Sequence, residues 1–150
     1  MIAIDHIGST AIPGLAAKPI IDIDITLASS EDIPSASADL VSEGYEPRGN
    51  RYNDGVWAFL STSTSPKLRV YLCPPANRTH ECRLLFRNYL RQHQEIAARY
   101  FSLKKQLADR FPFDGDRYTS EKRHFILEIV NRAEKEVQLR EKRPDYAQGT

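Results

Sequence analysis

Asp22 and Asp24 stand two residues apart in the run Ile-Asp-Ile-Asp-Ile-Thr-Leu at 21–27, downstream of a Gly8-Ser9 pair. On an extended chain that spacing puts two carboxylates on one face, roughly 6.6–7 Å apart. Two such carboxylates can converge on one or two hard cations. A Gly-Ser turn can offer backbone N–H groups and a hydroxyl to a phosphate. These are the parts of a metal-dependent phosphoryl or nucleotidyl transfer site. Asp22 and Asp24 would be its metal-holding catalytic pair, with Mg²⁺ as the cofactor, and Gly8 and Ser9 its phosphate contacts. Lys18, between turn and strand, would add a cation for an anionic ligand. The competing reading is a plain polar edge on an amphipathic strand. Aspartate is poor in strands, so two of them beside such a turn point to a use. Both carboxylates are expected to open into one cleft with the Gly8-Ser9 turn.

The elements that must position these residues follow from periodicity. Ile21, Ile23, Ile25 and Leu27 alternate with Asp22, Asp24 and Thr26, which predicts a half-buried strand. Pro19 restricts Lys18 to extended geometry and starts that strand at Ile20. Residues 2–7 form a short apolar stretch. Residues 29–32 start a helix that ends near Gly44, and 45–53 read as polar and turn-rich. Residues 56–60 and 68–72 read as two strands joined as a hairpin through the Ser/Thr/Pro-rich stretch 61–66. Helical apolar stripes then dominate. Leu85, Tyr89, Ile96, Tyr100, Leu103, Leu107 and Phe111 form one, breakable at 92–94, and Phe125, Ile129, Val130 and Ala133 belong to another. The fold class is α+β: a mixed β-sheet with helices packed on one side and a helical C-terminal half. One domain over residues 1–140 and a charged, frayed tail at 141–150 are expected.

Composition is that of an ordinary globular chain: 150 residues, 41% hydrophobic and 27% charged, with net charge +1. No overall field recommends nucleic acid or a membrane surface. Residues 1–80 carry six Lys/Arg against nine Asp/Glu, and residues 81–150 carry fifteen against eleven. Two cysteines, Cys73 and Cys82, make no disulfide framework or metal spacing and suit a reduced, cytoplasmic location. No apolar run reaches membrane-spanning length and no secretory leader is visible.

The order Gly-Ser, spacer, Asp-hydrophobic-Asp resembles the DNA polymerase beta-like nucleotidyltransferase superfamily. The fuller wording of residues 6–23, HIGSTAIPGLAAKPIIDI, resembles the signature of the GrpB family, which also occurs fused to dephospho-CoA kinase. Residues 84–91 (LLFRNYLR), 100–104 (YFSLK) and 118–122 (YTSEK), followed by Phe125-Ile126, resemble its later motifs. The likeness implies a nucleotidyltransferase-like fold. It also implies that basic side chains of the following helices contact a triphosphate, here Arg87, Lys104 and Lys122.

Two departures from that pattern bear on function. The superfamily adds a third acid on a later neighbouring strand. Here the matching strand, Leu68-Arg69-Val70-Tyr71-Leu72, turns Arg69 toward the aspartates. A guanidinium there would pair with them and compete with Mg²⁺. The family also carries an N-terminal segment before the His-Ile-Gly-Ser motif, whereas Met1 lies five residues before His6, so a protein partner covering the short N-terminus is one expectation. Three functions compete: Mg²⁺-dependent nucleotidyl transfer, a catalytically lapsed module that binds a nucleotide or other phosphorylated ligand, and a partner-dependent subunit.

Overall fold

The computed structural model describes residues 2–14, 20–50, 52–61 and 63–142. The chain divides into two compact units, residues 1–87 and 88–150.

The first unit is built on a five-stranded mixed sheet. Its strands are β1 (Ala3–Ile7), β2 (Ile20–Thr26), β3 (Tyr45–Gly49), β4 (Trp57–Ser61) and β5 (Lys67–Cys73), in the order β1-β2-β5-β4-β3. The pair β2–β5 is parallel, and β1–β2, β4–β5 and β3–β4 are antiparallel. The β4–β5 pairing is the hairpin that the turn-rich stretch before Lys67 predicts. Alternation sorts the two faces. Leu27, Phe59, Val70 and Leu72 form a buried core against which Ile25, Leu68, Tyr45 and the helix residues Ile33, Ala36 and Leu40 pack.

That helix is α1 (Ile33–Ser42). A short 3-10 turn, Ser30–Asp32, leads into it, and the Ser29 side chain accepts from the Glu31 N–H at 3.2 Å. Glu31 and Asp32 in the entry turn and Pro34 in the first helical turn are the residues a helix start favours. Gly44, at φ +94°, turns the chain out of the helix.

Residues 45–49 are a strand, where sequence periodicity reads only a polar turn. β3 lies at the sheet edge, where one side of its backbone needs no partner, so Glu46, Pro47 and Arg48 are tolerated there. A register shift between Pro47 and Gly49 bends it.

Helix α2 (Arg78–Gln92) begins in the first unit. Asn77 accepts from the His80 N–H at 3.0 Å through its side-chain oxygen, and its amide donates to the Asp54 carbonyl at 2.8 Å. The Thr79 hydroxyl donates to Asp54 Oδ2 at 3.0 Å. These bonds tie the helix start to the loop before β4.

The second unit holds α3 (Gln94–Arg110) and α4 (Gly115–Lys142). His93 separates α2 from α3, within the predicted break. Ile96, Ala97, Tyr100 and Leu107 are buried on α3, and Ile129, Val130 and Ala133 on α4. Tyr100 and Phe125 stack at 5.6 Å between ring centroids. Asp114 accepts from the Arg117 N–H at 3.0 Å, the bond of an N-cap.

Candidate functional site

The sheet face opposite the α1 core is polar. In the β1–β2 register Asp5 lies opposite Asp24. In the parallel β2–β5 register Arg69 lies opposite Asp22, Tyr71 opposite Asp24, and Cys73 opposite Thr26. Three carboxylates, from Asp5, Asp22 and Asp24, therefore share one face over two adjacent strands. Gly8 follows directly after β1, at φ +74° and ψ −172°, a conformation essentially reserved to glycine. A Cβ there would meet Asp22 Oδ2 at 2.7 Å, so the Gly8 turn rests against the Asp22 carboxylate. Ser9 opens the 3-10 turn Ser9–Ala11 that continues from it.

Each of the three carboxylates meets a cation. Arg69 donates to Asp22 Oδ1 at 3.3 Å. Asp24 has no exposed surface, and both its oxygens are taken: Arg83 donates to Oδ1 at 2.7 Å and His80 Nδ1 to Oδ2 at 2.8 Å. Arg87 stands 3.9 Å from Asp5 Oδ1 and donates to the His6 carbonyl at 3.1 Å. His80 Nε2 lies 3.3 Å from Thr26 Oγ1 and 3.5 Å from Asp5 Oδ2. His80, Arg83 and Arg87 are three and four residues apart on α2, hence on one helix face. That face is what the sheet's acids meet.

The electrostatics follow from this packing. Burial works against the Arg69 charge, but Tyr71 and Asp22 beside it outweigh burial and hold its pKa above the ordinary value. Burial, with help from Asp22, pushes the Tyr71 phenol up against the opposing pull of Arg69 and Arg83. Burial also pushes the Cys73 thiol up to about 12, and the Asp24 charge adds to it.

Beside the paired acids lies a cavity of about 120 Å³. Its polar lining comes from Arg48, Arg69, Arg83, Tyr52, Tyr71 and Asp54. The Arg83 guanidinium lies 4.2 Å over the Tyr71 ring, which fixes it at the cavity wall. Of the three arginines in the lining, Arg69 and Arg83 also hold Asp22 and Asp24, and Arg48 stands 3.6 Å from Glu46.

The sequence-derived site is corrected in one respect. Asp22 and Asp24 do share a face beside the Gly8 turn, but they do not open together into a cleft, because Asp24 is enclosed by α2. Mg²⁺ asks for near-octahedral oxygen ligands. Here the Asp24 oxygens are occupied by His80 and Arg83, and Asp22 is bridged to Arg69, so these residues as arranged do not fit that ion. Arg69 lies in the cavity wall and Arg87 beside β1. Lys18 lies outside the described residues. Lys104 and Lys122 belong to the second unit, 5.4 Å from the Tyr100 ring and 5.6 Å from the Tyr118 ring. Sequence reasoning passed over Asp5, His80 and Arg83. The helical spacing of His80, Arg83 and Arg87 is the available signal.

Comparison with known proteins gives a consistent picture. Residues 1–132 match the GrpB protein family. The chain is 40% identical over 126 residues to UPF0157 protein YqkA of Bacillus subtilis strain 168, covering 84% of this chain and 37% of that protein. It is 33% identical over 133 residues to the Glutamate-rich protein GrpB of Alkalihalophilus pseudofirmus, covering 85% of this chain and 76% of that one. The chain thus spans little more than a third of the Bacillus relative's length and about three quarters of the other's. The crystal structure of conserved protein GrpB from Enterococcus faecalis superposes with a TM-score of 0.77 at 34% identity, covering 91% of this chain and 82% of that one.

Proposed function

The chain belongs to the GrpB family, and on that footing we propose that it is a binding module for a small phosphorylated ligand, such as a nucleotide, held by arginines without Mg²⁺. One observation carries the reading: Arg48, Arg69 and Arg83 all line one cavity, in which Asp54 is the acid among the described lining residues, and the bonds of Arg69 to Asp22 and of Arg83 to Asp24 hold two of these guanidinium groups in place. Arginine is the side chain suited to bidentate phosphate recognition. Arg48 stands 3.6 Å from Glu46, both about half exposed, and solvent screens such a pair, so a ligand can recruit it at little cost. The volume is below the roughly 300–1,000 Å³ of pockets that enclose whole drug-sized molecules. The cavity therefore takes the phosphorylated end of the ligand, and the Tyr52 ring at its wall is a surface for the rest. The two cysteines form no disulfide, which suits a cytoplasmic location.

Titration calorimetry with ATP and with inorganic phosphate tests this. Arg48→Gln and Arg69→Gln should each weaken ATP binding about tenfold, the loss of one charge-assisted contact. Affinities untouched by both changes would place the ligand elsewhere.

Metal-assisted nucleotidyl transfer is the second reading. The gathering of Asp5, Asp22 and Asp24 on one face favours it. It requires Arg69 and Arg83 to leave the carboxylates when ligand binds, and it demands tighter ATP binding with Mg²⁺ than without.

A further inference from the structure

Behind the arginine cavity is a second cluster of a different chemical kind. Asp24, Cys73 and His80 are all buried, and one carboxylate oxygen, the thiol sulfur and one ring nitrogen lie within 4.8 Å of one another. We propose that these three residues hold a borderline-soft divalent metal ion of the zinc class.

The donor set selects the ion. One sulfur, one nitrogen and one oxygen suit Zn²⁺ and Co²⁺ and disfavour Mg²⁺ and Ca²⁺. Tetrahedral zinc with bonds of about 2.0–2.3 Å has ligand-to-ligand edges of roughly 3.3–3.8 Å. Asp24 Oδ2 and His80 Nδ1 stand 2.8 Å apart and all three ligand atoms lie within 4.8 Å of one another, so small side-chain shifts bring them to that edge.

The outer contacts are also those of a metal centre. Metal-bound histidines usually donate their second N–H to a carboxylate or another oxygen. His80 Nε2 has two such oxygens, Thr26 Oγ1 at 3.3 Å and Asp5 Oδ2 at 3.5 Å. A ligating carboxylate is usually hydrogen-bonded on its other oxygen. Asp24 Oδ1 takes the Arg83 guanidinium at 2.7 Å. Cys73 is a third donor at the cluster, with its thiol donating at 3.9 Å to the Tyr71 carbonyl. It is fully buried, yet it shares the polar face with Asp24 rather than the face of Val70 and Leu72. With a divalent ion bound, the Asp24 carboxylate and a Cys73 thiolate balance its charge. Binding displaces the proton of the Cys73 thiol to solvent and moves the His80 proton from Nδ1 to Nε2.

The test is loading of the full chain, stripped with chelator, with one equivalent of Co²⁺ or Zn²⁺. One Co²⁺ per chain should bind and give a thiolate-to-cobalt charge-transfer band in the near ultraviolet. Cys73→Ser should abolish the band and weaken uptake at least about tenfold, while Cys82→Ser should keep both. X-ray absorption of the zinc-loaded wild-type protein, which needs no variant, should show one sulfur in the coordination shell. No stoichiometric uptake, a shell without sulfur, or a band that survives in folded Cys73→Ser would overturn the proposal.

Discussion

Two aspartates of similar appearance in the sequence have different roles in the fold. The Arg69–Asp22 pair is partly exposed, with side-chain exposures of 41% and 21%, so solvent screens it. Arg83–Asp24 encloses a carboxylate with no exposure. Arg69→Met should therefore cost under about 1 kcal/mol in urea unfolding, and Arg83→Met about 3 kcal/mol, because it leaves a buried charge short of a partner. Gly8→Ala should destabilise by about 2–3 kcal/mol, combining a glycine-only conformation with a clash against Asp22 Oδ2. In an Asp22→Ala background the penalty should shrink but persist, since the backbone strain remains. Cys73 gives a pH signature. Its folded-state pKa, about 12, lies above the ordinary 9.0, so its contribution to stability is complete below pH 9 and is lost as pH rises toward 12. With chelator present, the urea midpoint should fall over that range in the wild type and fall less in Cys73→Ser. Asp22, Asp24, Gly8 and Arg69 were legible at this scale because strand alternation fixes which side chains share a face. His80 and Arg83 were not, because their partners lie more than 50 residues away in sequence and only the docking of α2 reveals them.

Among the elements, strong local periodicity was readable. β2, β5 and the α2–α3 break at His93 all follow from pattern and punctuation. β3 was hidden, since a strand at the sheet edge has no need of the apolar alternation that marks a central one, and Pro47 reads as a turn. The superfamily pattern puts a third carboxylate on a strand later than β2, whereas here the acid opposite Asp24 is Asp5, on the antiparallel β1. Sequence carries no mark of which neighbour a strand takes. The core is expected to behave by burial. Leu72→Ala, at a site 1% exposed in the sheet–α1 core, should cost about 2–5 kcal/mol in urea unfolding. Leu139→Ala, at a site 62% exposed on α4, should stay within about 0.5 kcal/mol.

For the molecule as a whole, a net charge of +1 offers no general attraction for anions, so binding must come from local arrangement. Family membership accounts for the mixed sheet and its helices but leaves the chemistry to the site. No described helix is long and apolar enough to cross a membrane. Binding through Arg48, Arg69 and Arg83 should weaken as ionic strength rises, because Arg48 in particular is solvent-exposed. The question that separates an arginine-held ligand from a metal-held one is whether Mg²⁺ is required. ATP affinity of the full chain, measured by calorimetry in excess chelator and again in excess Mg²⁺, answers it. We expect binding in chelator, with Mg²⁺ changing the Kd by no more than about threefold. Binding that appears only with Mg²⁺, and vanishes in Asp22→Asn, would contradict the arginine-held reading.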